Sequence, residues 1–205
     1  RSKKRMKVVI VKYNAGNIFS VDYAMRRLGV EAEITGDLER IQSADKVIFP
    51  GVGEAETTMK YLKEHRLDEV IKGLKQPTLG ICIGMQLMCK YSEEAVSGRV
   101  DCLGIFDEAV RLFIPNEQVN KVPHMGWNTI ETVNHPLFKG LPEDPYFYYV
   151  HSYYATVGEN TIATTDYIHP YSAVLHKDNF YATQFHPEKS GELGEIILKN
   201  FLDIC

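Results

Sequence analysis

The stretch Gly80-Ile81-Cys82-Ile83-Gly84-Met85-Gln86 sets one cysteine between two glycines, at the end of an apolar run that starts at Pro77. A short buried strand feeding a helix over 85–91 accounts for this pattern and puts Cys82 at the bend. A sharp strand-to-helix elbow needs backbone angles that a Cβ obstructs, which is what the flanking glycines allow. The helix N-terminus turns free N–H groups and a partial positive charge toward the sulfur. That favours the thiolate, the form that attacks a carbonyl carbon. A buried structural cysteine fits the same segment when it is read alone.

A cysteine nucleophile needs a base, and the base needs a group to orient it. Of the seven histidines, His186 follows an apolar strand in Gln184-Phe185-His186-Pro187-Glu188. His65 lies in a polar helical stretch, while His135 and His169 precede prolines in loops. Residues two apart on a strand share a face, so Glu188 can accept from Nδ1–H and leave Nε2 to take the thiol proton. Pro187 helps to end the sheet pairing there. A solvent-facing His and Glu at a strand end is the competing reading. Acyl transfer also needs oxyanion donors, and the N–H of Ile83, next to the nucleophile, is one. Pro50-Gly51-Val52-Gly53 ends another strand, and its glycines let backbone N–H groups come close to a substrate. An ordinary glycine turn is the alternative. Neither a G-x-G-x-x-G nor a Walker pattern follows, so a phosphate cradle is not supported.

The elements that must position these groups alternate. Residues 7–11, 31–35, 46–49 and 77–81 read as strands, the first a continuous apolar run typical of a parallel strand covered on both faces. Residues 18–28, 38–44, 54–64 and 67–74 read as helices, with Gly29 as a C-terminal cap. The expected fold is α/β: an open, mostly parallel sheet flanked by helices, with additional antiparallel strands in the second half. Those later strands fall at 103–106, 110–113, 127–132, 146–153, 161–165, 173–176 and 180–185, before a helix over 193–204. The loops at 13–17, 50–53 and 82–86 should gather at the carboxyl edge, where ligands bind in such sheets. No repeat, linker or low-complexity tract divides the chain, so residues 6–205 read as one domain. Residues 1–5 read as a cloning remnant or frayed tail.

At 205 residues with 44% hydrophobic side chains, the chain is long and apolar enough for a sizeable core. A net charge of −4 and no basic stripe speak against nucleic-acid binding. No apolar run reaches the roughly 18 residues of a membrane span, and no signal peptide is seen. Cys82, Cys89, Cys102 and Cys205 form no C-x-x-C pair and no zinc-ligand spacing, so no metal site is expected and a reduced, cytoplasmic thiol protein is. Cys89, two turns along the helix, reads as core.

Gly80 to Gln86 together with His186-Pro187-Glu188 resembles the class I (triad-type) glutamine amidotransferases. More narrowly, the chain is similar to the glutaminase subunits of imidazole glycerol phosphate synthases. The resemblance runs from Met6 to the C-terminus. It is carried by Tyr13 to Asn17 with Ser20, Pro50 to Gly53, Ser92-Glu93-Glu94, Pro123 to Asn128 and His186 to Ser190. Lys12 departs from it, since relatives often carry an acidic residue before the tyrosine. The resemblance implies that Cys82 forms a γ-glutamyl thioester, that His186 serves as base and then acid, and that Glu188 orients it. It further implies an oxyanion hole from Gly51, Val52, Gly53 and Ile83. L-Glutamine would be held by Gly53, Gln86, Glu94 and the backbone around His151, Ser152 and Tyr153. No cofactor is implied. The implied partner is a (β/α)8 barrel cyclase, bound as a heterodimer through Asn14, Trp127, Tyr148 and Lys189. It would use the released ammonia on a phosphoribulosyl-formimino carboxamide nucleotide and activate the glutaminase on docking. For Trp127, a core aromatic is the competing reading. The competing functions are a related amidotransferase feeding another acceptor, an idle partner-binding module, and a self-sufficient thiol hydrolase.

Overall fold

The computed structural model describes residues 5–13, 18–51, 53–116 and 120–204. The first half alternates: β1 (Val8–Val11), α1 (Phe19–Arg27), β2 (Ala32–Thr35), α2 (Leu38–Ser43), β3 (Lys46–Phe49), α3 (Ala55–Glu64), α4 (Leu67–Lys72), β4 (Thr78–Ile81) and α5 (Ile83–Met88). The second half is mostly strand: β5 (Tyr91–Ser92), β6 (Val100–Asp101), β7 (Val110–Leu112), β8 (His124–Thr129), β9 (Glu131–Thr132), β10 (Tyr146–His151), β11 (Tyr153–Ala155), β12 (Thr161–Tyr167), β13 (His169–Lys177) and β14 (Phe180–Thr183). Helix α6 (Gly191–Asp203) follows, and short 3-10 turns occupy Pro136–Phe138 and Pro187–Lys189.

The main sheet has the order β2-β1-β3-β4-β14-β13-β12-β9. Pairing is parallel from β2 through β14 and antiparallel beyond it. Every residue of β1, β3, β4 and β14 is buried, the pattern of strands covered on both faces. Alternation along β1 divides the core. Val9 and Val11 pack with Ile41, Met59, Leu62 and Ile71 of α2, α3 and α4. Val8 and Ile10 pack with Val21, Met25, Ile197 and Phe201 of α1 and α6 on the other side. Two smaller sheets stand apart, β10-β8 and β11-β7-β5-β6. No helix among the described residues is long and apolar enough to cross a membrane.

Several local expectations are corrected. The helix expected over 85–91 starts earlier and ends at Met88, because Cys89 turns extended (ψ 178°) and Tyr91–Ser92 pairs as β5. Residues 103–106 are not a strand. The N–H groups of Leu103, Gly104, Ile105 and Phe106 bond at 2.8–3.0 Å to the carbonyls of Leu87, Met88 and Cys89. They satisfy the carbonyls that a helix end leaves open. The strand expected over 127–132 begins at His124 and breaks at Ile130, and the 146–153 run is interrupted at Ser152. His169 starts β13 rather than lying in a loop. The final strand stops at Thr183, so His186 and Glu188 do not share a strand face; Pro187 opens a 3-10 turn instead.

Candidate active site

Three carboxyl ends lie side by side, because β4 pairs in parallel with β3 on one side and β14 on the other. Thus the loop after Phe49, the turn at Cys82 and the segment leading to His186 converge at one edge, the part of an open α/β sheet where ligands bind. Residues 14–17 and Val52, part of the expected gathering, lie outside the described residues. Tyr13 is described, and its hydroxyl donates to the Pro50 carbonyl.

The turn is as sharp as the glycines require. Cys82 has φ 55° and ψ −112°, a strained conformation for a residue with a side chain. Its N–H is held by the Thr183 carbonyl at 2.8 Å. A Cβ on Gly84 would stand 2.2 Å from the Phe49 carbonyl oxygen, and one on Gly51 would stand 2.5 Å from the Ile83 nitrogen. Gly51 therefore lies directly on the start of α5. The N–H of Ile83, at the first helical position, has no intrahelical acceptor. Gly53, at φ 89°, is the other described glycine of that loop.

His186 reaches both of its expected neighbours. Its Nδ1 lies 2.6 Å from Glu188 Oε1, with both side chains buried, and Cys82 is close enough to act on the titration of the ring. Burial alone pushes the imidazole pKa down. The hydrogen bond and charge of Cys82, then those of Glu188, outweigh it and raise the value to about 10. A neutral carboxylate-free imidazole in this position would be depressed instead. The 3-10 turn thus achieves by curvature the contact expected from a shared strand face. Glu188 Oε2 is buried without a hydrogen-bond partner among the described residues.

The residues expected to hold a ligand are placed unevenly. Glu94 lies at the N-terminus of α3, where Oε1 accepts from the Ala55 N–H at 2.6 Å. Burial raises its pKa, the Ala55 N–H counters that, and Glu54 adds to the rise. Gln86 is buried, with its amide nitrogen 2.9 Å from both the Tyr153 carbonyl and Gln184 Oε1. Ser152 uses its carbonyl on the Phe113 N–H at 3.0 Å. The Tyr153 carbonyl also accepts from His151 Nδ1 at 2.7 Å, so both of its lone pairs are spent inside the chain. Burial drives the His151 pKa down to about 3 and that of His124 down to about 4, so both imidazoles are neutral. His151 Nε2 lies 3.2 Å from His124 Nδ1 and 3.3 Å from the Tyr171 hydroxyl.

Trp127 is not a core aromatic. It is 56% exposed on the outer face of the β8–β10 ribbon, beside Met125 at 64%, with the ring of Tyr148 at 5.8 Å. Lys189 is exposed near the same turn; Asn14 lies outside the described residues. Sequence reasoning missed how this ribbon is fastened. The N–H of His186 donates to the Tyr148 carbonyl at 3.0 Å, and the N–H of Tyr148 donates to Ser190 Oγ at 3.0 Å. Strand alternation could have found the exposed Met125–Trp127 face; nothing local signals the cross-links. It also gave no role to Gln184, although the residue stands two positions before His186. Among the described residues no cluster of three or more His, Cys, Asp or Glu side chains is placed to hold a metal ion. A cleft between Lys7, Arg26, Glu31 and Arg40 opens at the amino ends of β1 and β2, the opposite edge of the sheet, away from all of these groups.

This arrangement has counterparts. The family model for class-I glutamine amidotransferases matches residues 9–205. The imidazole glycerol phosphate synthase subunit HisH of Bacteroides fragilis is 66% identical over 97% of this chain and 100% of its own length. That of Colwellia psychrerythraea is 46% identical, covering 97% and 93%. Among solved structures, a Thermoplasma acidophilum protein superposes with a TM-score of 0.74 at 20% identity, covering 99% of this chain and 95% of its own. A Thermotoga maritima glutamine amidotransferase gives 0.63 at 15%, covering 98% and 84%. These distant structures show the fold. The chain belongs to the class-I glutamine amidotransferases and, within them, to the family of imidazole glycerol phosphate synthase subunits HisH.

Proposed function

We propose that residues 6–205 act as one glutaminase unit that hydrolyses L-glutamine and passes the ammonia to a cyclase subunit forming imidazole glycerol phosphate. The observation that carries this reading is the His186 ring, 2.6 Å from the Glu188 carboxylate and within electrostatic reach of Cys82 at the adjoining strand end.

The steps follow from that geometry. His186 accepts the Cys82 proton, and the thiolate adds to the γ-carboxamide carbon of glutamine. The resulting oxyanion is met by the N–H of Ile83 and by N–H groups of the Gly51-Val52-Gly53 loop. Imidazolium, held by Glu188, returns the proton to the leaving nitrogen, and ammonia departs as the C–N bond breaks. A water molecule, deprotonated by the same imidazole, then cleaves the thioester to glutamate and free thiol. Glu94 and the Gly53 backbone hold the amino-acid end of glutamine. Gln86 reaches it through its carbonyl oxygen only, since its nitrogen is engaged.

The partner we assign is a (β/α)8 barrel cyclase docked on the Met125, Trp127 and Tyr148 face, with Lys189 near the same turn. The bond from the His186 N–H to the Tyr148 carbonyl, with that from the Tyr148 N–H to Ser190 Oγ, gives that face a short path to the base. Docking that favours one orientation of the 51–53 peptides over another would switch the oxyanion hole. This chemistry belongs in the cytoplasm, with the other reactions of amino-acid biosynthesis. The test is glutaminase turnover of the purified chain, alone and with the cyclase and its nucleotide ligand. The expected result is a rise of orders of magnitude with the liganded partner. Equal turnover without it, or better turnover of other amides, contradicts the reading.

A further inference from the structure

The amide of Gln184 has no freedom to turn, and its fixed orientation aims a donor at the sulfur. The Tyr153 carbonyl only accepts, so the Gln86 atom 2.9 Å from it is the amide nitrogen. That nitrogen also lies 2.9 Å from the Gln184 side chain, and two donors cannot face each other, so the Gln184 atom there is Oε1. The opposite end of the Gln184 amide is then Nε2, which stands 3.8 Å from Cys82 Sγ. Gln184 is fully buried and Gln86 nearly so. The backbone N–H of Gln184 is tied to the Ala173 carbonyl at 2.8 Å. Turning the Gln184 amide over would oppose two buried donors, and turning Gln86 over would oppose buried acceptors; either leaves buried groups unsatisfied at their full desolvation penalty.

The second neighbour of the sulfur makes this orientation meaningful. The Val150 carbonyl, 3.9 Å from Sγ, suits a protonated thiol that can donate to it. Once the proton leaves, that contact loses its donor and the Gln184 N–H becomes the matched partner. Hydrogen bonds to an ionised acceptor are about twice as strong as neutral ones. Gln184 therefore favours the thiolate over the thiol.

We propose that Gln184 is the hydrogen-bond donor that steadies the Cys82 thiolate for attack, and that Gln86 is a positioning residue that locks the Gln184 amide in the donating orientation. This deepens, and rests on, the assignment of Cys82 as the nucleophile. The experiment follows alkylation of Cys82 by iodoacetamide against pH, read on the Cys82 peptide by mass spectrometry, in the full chain. Gln184→Met keeps the volume and removes the donor. The alkylation rate at pH 7 should fall about tenfold, while the plateau rate at alkaline pH stays unchanged. A packing defect moves both rates together, and that result, like an unchanged profile, overturns the proposal. Should Gln184→Met not fold, Gln86→Met leaves the donor present but free to turn. The same one-sided loss at pH 7 supports the lock, and an unchanged profile overturns it. Cys82→Ser separates the two levels. If that variant still hydrolyses glutamine, the nucleophile assignment itself fails. If it is inactive while Gln184→Met alkylates normally, only the role of Gln184 fails.

Discussion

His186 is drawn in opposite directions by burial and by its neighbours, and the neighbours win. Burial lowers the imidazole pKa, and the interactions with Cys82 and Glu188 lift it to about 10, above the unfolded value of about 6.5. A group whose folded value is raised adds stability that is complete below its unfolded pKa and fades as pH climbs through the folded one. The stability supplied by the His186 contacts is therefore full below about pH 6.5 and lost toward pH 10. Glu188→Gln removes one of the raising contacts and frees the ring to choose the wrong tautomer. Its glutaminase turnover should fall about ten-thousandfold, the loss seen when the orienting carboxylate of a Ser-His-Asp triad is replaced by its amide. The His186 titration followed by NMR should move to lower pH, and the stability gap to wild type should close as pH rises from 6.5 toward 10. An unmoved titration contradicts the part given to Glu188. These three residues stood out in the sequence because a cysteine between glycines and a His-x-Glu pair leave local marks. Their contact was legible too, although for the wrong reason, since a strand-face argument stood in for the 3-10 turn that Pro187 starts.

At the scale of elements, parallel pairing of β4 with both β3 and β14 makes the site. The first half of this layout could be read from alternating apolar runs and helical spacing, because buried parallel strands and amphipathic helices each carry a distinct period. The second half was harder. Residues 103–106 have the side chains of a strand but spend their N–H groups on the end of α5, a tertiary demand that no local pattern records. The two-residue strands β5, β6 and β9 are too short to show any period. Glycines, by contrast, marked contacts truly. Gly84 lies so near the end of β3 that a methyl group would stand 2.2 Å from the Phe49 oxygen, a backbone atom that cannot swing aside. Gly84→Ala should cost about 2 kcal/mol by overpacking, measured by urea denaturation. It should also lower glutaminase turnover by prising the 50–53 loop from the Ile83 N–H. Wild-type stability in that variant contradicts the packing described.

For the molecule as a whole, the outer face of β8–β10 is the feature least explained by folding alone. Met125 and Trp127 remain exposed while His124, Phe147, Tyr149 and His151 alternate inward. Trp127→Ala should leave the melting temperature unchanged, since the ring buries little within the chain. It should weaken cyclase binding by about 2 kcal/mol, roughly 30-fold, the size expected of an aromatic anchor. Isothermal titration against the cyclase measures this, and unchanged affinity removes Trp127 from the docking face. Sequence patterning could mark such a face as exposed, but what covers it is a property of two chains. The most direct test of the account is to quench the chain and its liganded cyclase in acid during turnover of isotope-labelled glutamine, then to map the label by mass spectrometry. The account predicts a labelled γ-glutamyl group on the Cys82 peptide, absent in Cys82→Ala. Label on another residue, or continued turnover in Cys82→Ala, contradicts it.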